Sequence, residues 1–216
     1  MAAVSPAGVS RDVVAAFDVD GTLTTHDCVV PFLRRVAGTA RLAAGLAARP
    51  HRLVPALVRR DRDALKALSA DVVFRGRSVA AVAAEATEFA QAVHRDRLRP
   101  DTVATLRRHQ ADGHTVVLVS ASFAVYLHPL ARLLGVDHVV ATELETDQSG
   151  ARYTGALEGP NCRAHEKVVR LHRWLDERDS SRARVELWAY GDSSGDRELL
   201  ADADHGVWVA GAAAAA

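Results

Sequence analysis

Short apolar runs alternate with helical patterns along most of this chain. The runs predicted as strands cover residues 13–17, 115–119, 138–141, 185–190 and 206–209. The patterns predicted as helices cover residues 100–112, 124–134, 163–178 and 196–203. Because strands that alternate with helices pair in parallel and are covered on both faces, this order predicts an α/β fold with a doubly wound parallel sheet.

The alternation stops between residues 29 and 96, where the chain has a helical pattern and no convincing strand. Helix breaks are expected around Gly38, Pro50, Pro55 and Gly76. This segment follows the first predicted strand directly, so we expect an all-helical insertion over the carboxyl end of that strand, and we call residues 29–96 the cap. Residues 1–28 and 97–216 are then expected to form the core domain. A smaller insertion at residues 143–157 has the pattern of a β-hairpin.

Composition narrows the class of protein. A length of 216 residues leaves room for one α/β core and a modest insertion. A formal net charge of zero gives no general basic field, so we do not expect nucleic-acid binding. The longest stretch without Asp, Glu, Lys or Arg, residues 113–131, contains His, Ser and Pro, so we expect no transmembrane span.

The cellular compartment is predicted from the cysteines and from the first residues of the sequence. Cys28 and Cys162 lack metal-site spacing and are too few for a disulfide framework, which favours free thiols in a reducing compartment. Residues 1–11 do not have the pattern of a secretory signal. A cytoplasmic protein is therefore expected.

Basic residues are unevenly distributed by type and by position. The chain has 25 Arg and 2 Lys, so Lys167 suggests a specific need for a compact ammonium group, although a surface helix residue is the alternative. We expect Lys66 to be a solvated surface residue. Residues 30–80 carry eleven Lys or Arg against three Asp. Such a cap either has a solvated basic face or recruits an anionic or amphiphilic phosphate, including one at a membrane surface. The basic residues interleaved with apolar ones are Arg34, Arg35, Arg49, Arg52, Arg59, Arg60 and Arg62.

Polar residues follow three of the predicted strands. They are Asp18 with Asp20, Ser120, and Asp192 with Asp196. In an open parallel sheet, ligands bind beyond the carboxyl ends of the strands, so these side chains are expected to meet at one edge. Clustered carboxylates repel one another, and a bound Mg²⁺ would relieve that repulsion. The alternatives are local: the aspartates as turn residues, and Ser120 and Asp196 as helix caps.

These residue types suit chemistry on a phosphomonoester. Asp18 could attack phosphorus and form an aspartyl-phosphate, while Asp20 could protonate the leaving oxygen and later activate water. Ser120 would bind phosphoryl oxygens, and Lys167 would offset charge on the nucleophile and the phosphate.

Four motifs in order resemble those of the haloacid dehalogenase (HAD) superfamily. The first is Asp18-Val19-Asp20-Gly21-Thr22, and the second is Ser120 in Val119-Ser120-Ala121-Ser122. The third is Lys167 in His165-Glu166-Lys167-Val168, and the fourth is Gly191-Asp192-Ser193-Ser194-Gly195-Asp196. The resemblance implies a Rossmann-like core.

The same resemblance assigns the site residues. It implies that Asp18 is the nucleophile and Asp20 the general acid and base. Mg²⁺ would be bound by Asp18, Asp192 and the backbone carbonyl of Asp20, with Asp196 supporting the metal. Ser120, Lys167 and Thr22 would bind the phosphoryl group.

The cap resembles the helical C1 cap of the phosphoserine-phosphatase-like branch, subfamily IB. Residues 22–27, 31–33, 153–155 and 161–162 are similar to a subgroup that includes phosphatidylglycerophosphatase C-like proteins. Phosphoserine phosphatases usually have Ser at the position of Gly21 and a Glu soon after the first motif. This chain offers His26 and Asp27 there, and we expect these two to contact a different substrate.

The sequence therefore predicts a magnesium-dependent phosphatase that acts on a small-molecule or lipid phosphate. Two alternatives remain open at this point. The phosphoryl group could pass to an acceptor alcohol instead of water, or the chain could be a non-catalytic module that binds a phosphorylated ligand.

Overall fold

A computed structural model describes residues 11–178 and 180–210 of the chain. The strands are β1 (Asp12–Phe17), β2 (Thr115–Phe123), β3 (His138–Thr146), β4 (Tyr153–Glu158), β5 (Val185–Gly191) and β6 (His205–Trp208). The helices are α1 (Val29–Ala37), α2 (Thr39–Ala47), α3 (Pro50–Val58), α4 (Arg62–Phe74), α5 (Val79–Asp96), α6 (Pro100–Ala111), α7 (Ala124–Leu133), α8 (His165–Asp176) and α9 (Arg197–Asp202). The outermost parts of the predicted core domain, residues 1–10 and 211–216, lie outside the described residues.

The strands form one sheet in the order β4-β3-β2-β1-β5-β6. All neighbouring pairs are parallel except β3 with β4. Alternate residues of β1 point to opposite faces, so Ala15 and Phe17 pack with α6 and α7, whereas Val14 and Ala16 pack with α8 and α9. The predicted doubly wound α/β fold is confirmed.

The predicted strands and helices are all present, with small shifts at their ends, but the break expected around Pro55 is wrong because α3 continues through that residue. The largest differences concern β2 and β3, which are longer than their apolar runs. β2 continues through Ser120 to Phe123, and β3 continues to Thr146 as the first strand of the predicted hairpin. β4 returns antiparallel to β3. Ser120 and Ser122 in the β2 extension are polar but buried, whereas Glu145 and Thr146 at the end of β3 are exposed.

Helices α1 to α5 occupy the cap and pack on the core through aromatic side chains. The cluster comprises Phe32, Phe74 and Phe89 from the cap and Phe123, Tyr126 and Tyr153 from the core. Its ring centroids are 4.8 Å apart for Phe32 and Tyr126 and 5.3 Å apart for Phe74 and Phe123. This contact holds the cap over the carboxyl edge of the sheet.

Backbone hydrogen bonds add a second attachment between the cap and the hairpin. The amide of Gly76 donates to the carbonyl of Tyr153 at 2.8 Å, and the amide of Tyr153 donates to the carbonyl of Arg77 at 3.0 Å. The hairpin therefore fixes the end of α4 relative to the sheet.

No helix in the described part of the chain is long and apolar enough to cross a bilayer. Cys28 and Cys162 are both buried and unbridged, as the sequence predicts.

Candidate active site

Asp18 follows β1 directly and lies at the carboxyl edge of the sheet. Its backbone amide donates to the carbonyl of Tyr190 in β5 at 2.9 Å, which fixes the turn that presents its side chain. Ser120 from β2 and Asp192 after β5 line the same cleft of about 520 Å³. These three residues therefore meet at one edge of the sheet, as expected.

Lys167 is a buried side chain with two carboxylate partners. Its Nζ lies 2.6 Å from Oδ1 of Asp18 and 2.5 Å from Oδ1 of Asp196. Burial raises the pKa of Asp18 to about 7 although Lys167 opposes that rise. The two carboxylates outweigh burial for Lys167 and raise its pKa. The alternative of a surface lysine is wrong, because Lys167 is 1% exposed.

Three carboxylates lie together next to this lysine. One oxygen from each of Asp18, Asp192 and Asp196 lies within 4.8 Å of the others. Both oxygens of Asp196 are already occupied, one by Lys167 and the other by the amide and hydroxyl of Ser193 at 3.0 and 2.7 Å. The side chain of Asp196 makes no capping bond to α9. Hard oxygen donors with few protein ligands suit Mg²⁺, so the donor set fits that ion.

The backbone brings the turn after β1 very close to the turn after β5. Gly21 has a φ of +82°, and a Cβ atom built there would lie 2.1 Å from Oδ2 of Asp192. A side chain at this position would therefore displace the Asp192 carboxylate. Burial and the neighbouring Asp196 raise the pKa of Asp192.

Asp20 is held by two donors. The amide of Cys28 donates to its Oδ1 at 2.9 Å, and the hydroxyl of Ser122 donates to its Oδ2. Burial and the charge of Asp27 raise the pKa of Asp20, and the two donors oppose that rise. We did not predict a role for Ser122. It lies two residues after Ser120 on a strand, so both side chains share a face, which is the signal that points to it.

Lys66 corrects one of our expectations. It is not a solvated surface residue: it lines the cleft from α4, donates to the carbonyl of Ala121, and lies 4.6 Å from the centroid of the Phe123 ring. Burial lowers its pKa to about 8, although Asp20 and Asp27 oppose this. A signal was available, since Lys66 precedes the buried Ala70 and Val73 by four and seven residues and so lies on the buried face of its helix.

Other polar residues of the cleft were also missed. Asn161 donates to Asp63 of the cap at 2.6 Å and accepts from Thr142 of the core at 2.8 Å, so it joins the two parts at the cleft wall. Arg62 and Arg163 line the cleft as well. No local pattern indicates these positions, because the packing of the cap on the core creates them.

The two predicted substrate contacts have different positions. His26 is exposed, its Nδ1 lies 2.9 Å from Oγ1 of Thr25, and it does not line the cleft. Asp27 lines the cleft, but its Oδ1 accepts from the amide of Val29 at 2.8 Å at the start of α1. Ser120 lines the cleft and does not cap the next helix, whose N-terminal cap is Phe123.

Thr22, assigned to phosphate binding by the resemblance, has its hydroxyl directed at Asp192. The residue is fully buried, and Oγ1 donates to Oδ1 of Asp192 at 3.2 Å. A hydrogen bond to a metal-binding carboxylate fixes its orientation, and losing such a partner usually weakens metal binding about 10- to 100-fold.

We therefore expect Thr22→Val to raise the Mg²⁺ concentration for half-maximal activity by at least about tenfold. Valine keeps the shape and removes the donor. Magnesium titrations at saturating substrate measure this. Thr25→Val serves as the control because the Thr25 hydroxyl contacts the carbonyl of Arg97 and the ring of His26, and neither belongs to the carboxylate site. An unchanged Mg²⁺ requirement with a raised KM would instead assign Thr22 to phosphate.

The fold and this cleft define an α/β protein with an aspartate-rich centre at the carboxyl edge of its sheet. The chain matches the haloacid dehalogenase-like hydrolase family over residues 15–201 and belongs to it. It is 42% identical to protein CicA of Caulobacter vibrioides over 196 residues, which cover 88% of this chain and 83% of CicA.

Two solved structures extend the comparison. A protein from Bordetella pertussis Tohama I superposes with a TM-score of 0.74 at 30% identity, over 89% of this chain and 87% of that one. A phosphoserine phosphatase solved as an analogue of its phospho-aspartyl intermediate superposes with a TM-score of 0.60 at 17% identity, over 93% of this chain and 87% of that one. The latter likeness concerns the fold.

Proposed function

We propose that this protein is a magnesium-dependent phosphomonoesterase that forms an aspartyl-phosphate on Asp18. One observation carries the proposal: the Asp18 carboxylate shares the buried ammonium of Lys167 with Asp196, at the floor of a cleft that Asp20 also lines. Membership of the hydrolase family supports it.

In the first proposed step, an oxygen of Asp18 attacks the substrate phosphorus and the bond from phosphorus to the ester oxygen breaks. The protonated carboxyl of Asp20 gives its proton to the leaving oxygen. Its raised pKa suits this role, because a larger fraction of the carboxyl is then protonated near neutral pH. The attacking oxygen keeps its position because Lys167 binds the same carboxylate.

In the second step, the Asp20 carboxylate takes a proton from water, and the water oxygen attacks the same phosphorus. The bond between Asp18 and phosphorus breaks, which releases inorganic phosphate and restores both aspartates. Ser120 and Lys167 bind phosphoryl oxygens in both steps. Mg²⁺, held by Asp18, Asp192 and the Asp20 carbonyl with Asp196 in support, would supply positive charge for the phosphate and the nucleophile.

The direct test is phosphate release from a generic aryl phosphate by the purified protein. Activity is expected with Mg²⁺, is lost when a chelator removes the metal, and returns when Mg²⁺ is added back. Tight binding of phosphate compounds without turnover, across a library of metabolite phosphates, would favour the non-catalytic binding module.

The cap and subfamily assignments belong to the same proposal. The helical segment after β1 is typical of the C1 cap, which supports placing the chain in subfamily IB with the phosphatidylglycerophosphatase C-like proteins. We take residues 29–96 as this cap and residues 1–28 and 97–216 as the core. The two buried free thiols fit a reducing compartment, so we propose a cytoplasmic location.

The cap also contributes charge to the part of the cleft where a leaving group would lie. Lys66 and Arg62 are its cations there, and Asp27 is the opposing anion. We infer that the substrate carries a second anionic group beside the phosphoester. Lys66 would bind that group, because its ammonium is already desolvated.

Lys66→Met is therefore expected to discriminate between substrates. For a phosphomonoester with a carboxylate in its leaving group, kcat/KM should fall by at least about tenfold, since a buried charged hydrogen bond is lost. For a neutral aryl phosphate the fall should be several times smaller. Parallel kinetics with both compounds measure this. The half-buried Arg77, which donates to the carbonyl of Val73 and does not line the cleft, gives an Arg77→Met control. Equal losses for both compounds would contradict the inferred contact.

A further inference from the structure

Helix α3 of the cap exposes large apolar side chains on one face. Val54 and Leu57 are each 54% exposed and Val58 is 78% exposed. They are spaced three and four residues apart, so they lie together on the helix surface. Pro50 and Pro55 in the same helix are exposed as well. An apolar group of this kind on a short helix marks a contact surface.

The surroundings of this group are basic. Residues 39–60, which include α2 and α3, carry five Arg and no Asp or Glu. Arg49 and Arg52 form ion pairs with Asp71 of α4 at 3.2 and 2.9 Å. Arg59 and Arg60 follow Val58 directly, are exposed, and make no ion pair within the described part of the chain. We call Val54, Leu57, Val58, Arg59 and Arg60 the α3 surface.

A partner for the α3 surface must accept apolar side chains and offer negative charge. A second copy of this chain fits poorly, because a twofold dimer would pair this surface with itself and bring arginine against arginine. An anionic lipid surface satisfies both needs, since apolar side chains enter the boundary between headgroups and acyl chains while arginines contact the headgroups. We propose that the α3 surface docks the protein on an anionic membrane.

The α3 surface is continuous with the cleft along the chain. Arg59 and Arg60 lead through Asp61 into α4, whose Arg62 and Lys66 line the cleft. The cleft also has apolar walls from Val30, Leu33 and Leu65, and Val30 is 44% exposed. A phosphate on a lipid headgroup could thus reach Asp18 with its apolar part beside α1 and α4. This substrate class rests on the proposed phosphatase function, whereas the docking itself does not.

The test is sedimentation of the full-length protein with vesicles of phosphatidylcholine alone or mixed with phosphatidylglycerol. Wild type should bind the mixed vesicles at low salt and dissociate as the salt rises from about 0.1 to about 0.5 M. Leu57→Ser with Val58→Ser tests the apolar part. Arg59→Glu with Arg60→Glu tests the basic part. The Arg59→Glu and Arg60→Glu double variant should lower the affinity for mixed vesicles by at least about twentyfold, because each arginine contributes about fivefold.

The controls separate docking from folding and from catalysis. Leu133→Ser, and Arg108→Glu with Arg173→Glu, change exposed residues on core helices and should leave vesicle binding unchanged. The α3 variants should hydrolyse a soluble aryl phosphate at the wild-type rate. Asp18→Asn should bind vesicles normally, so a failure of the proposed phosphatase function would not remove docking.

Three results would overturn the docking proposal. They are no binding of wild type to the mixed vesicles, equal losses in the core-helix controls, and a dimer in solution that the Leu57→Ser and Val58→Ser variant dissociates. If docking holds, a phosphate on a vesicle lipid should be hydrolysed faster by wild type than by the α3 variants, at equal rates on soluble substrate. Docking without this difference would overturn the lipid as substrate and keep the membrane contact.

Discussion

Asp18→Asn is expected to abolish phosphate release, with kcat lower by at least about a thousandfold. The amide nitrogen and oxygen cannot act as the nucleophile that the proposed mechanism requires. The substitution is nearly isosteric, and the amide oxygen can still accept the hydrogen bond from Lys167 that Asp18 accepts at 2.6 Å. Geometry is therefore preserved while the reacting group is lost.

The folded state should tolerate this change. Asp18, Asp196 and Lys167 together carry one net negative charge when both carboxylates are ionised, and the substitution makes the group neutral. Because burial raises the pKa of Asp18, the ionised carboxylate is itself unfavourable there. We expect the thermal unfolding midpoint of Asp18→Asn to equal or exceed that of wild type in the absence of Mg²⁺.

Two measurements complete this prediction. Asp137→Asn, an exposed site on the core, is the matched control and should retain full activity. Acid-quenched wild type taken during turnover should carry a phosphoryl group on the peptide that contains residue 18, detectable by mass spectrometry, and the variant should not. Substantial turnover by Asp18→Asn would rule out Asp18 as the nucleophile.

The core of the site could be predicted because local patterns and one topological rule are sufficient for it. Asp18, Ser120 and Asp192 each follow an apolar run, and parallel strands bring their carboxyl ends to the same edge. The scarcity of lysine pointed to Lys167. The apolar run does not predict the extension of β2, because polar residues interrupt the run there. No role is therefore predicted for Ser122, which lies in that extension.

The cap's contribution could not be predicted in the same way. Lys66 and Asn161 line the cleft only because an aromatic cluster packs the cap on the core. The residues of that cluster are far apart in sequence. Such packing depends on shape complementarity and leaves little local signal. The helical periodicity of α4 does place Lys66 on the buried side, but periodicity does not say which cavity that side faces.

Lys167→Met should be the most damaging single substitution for stability at the site. The ammonium contacts two buried carboxylates, and its removal leaves Asp18 and Asp196 facing each other without a cation. Breaking a buried ion pair from one side usually costs about 3–5 kcal/mol. We expect a loss of that order in the free energy of unfolding from denaturant titrations without Mg²⁺, with kcat lower by at least about a hundredfold.

A second substitution separates charge balance from simple loss of packing. Lys167→Met with Asp196→Asn has the same net charge as wild type across the three residues, so it should recover much of the unfolding free energy. It should not recover kcat, because Asp18 still lacks the ammonium beside it. Mg²⁺ should stabilise Lys167→Met more than wild type, because the cation offsets a larger excess of negative charge. Equal unfolding free energies for wild type and Lys167→Met would show that the buried carboxylates are protonated rather than paired, and the proposed ionised nucleophile would then be untenable.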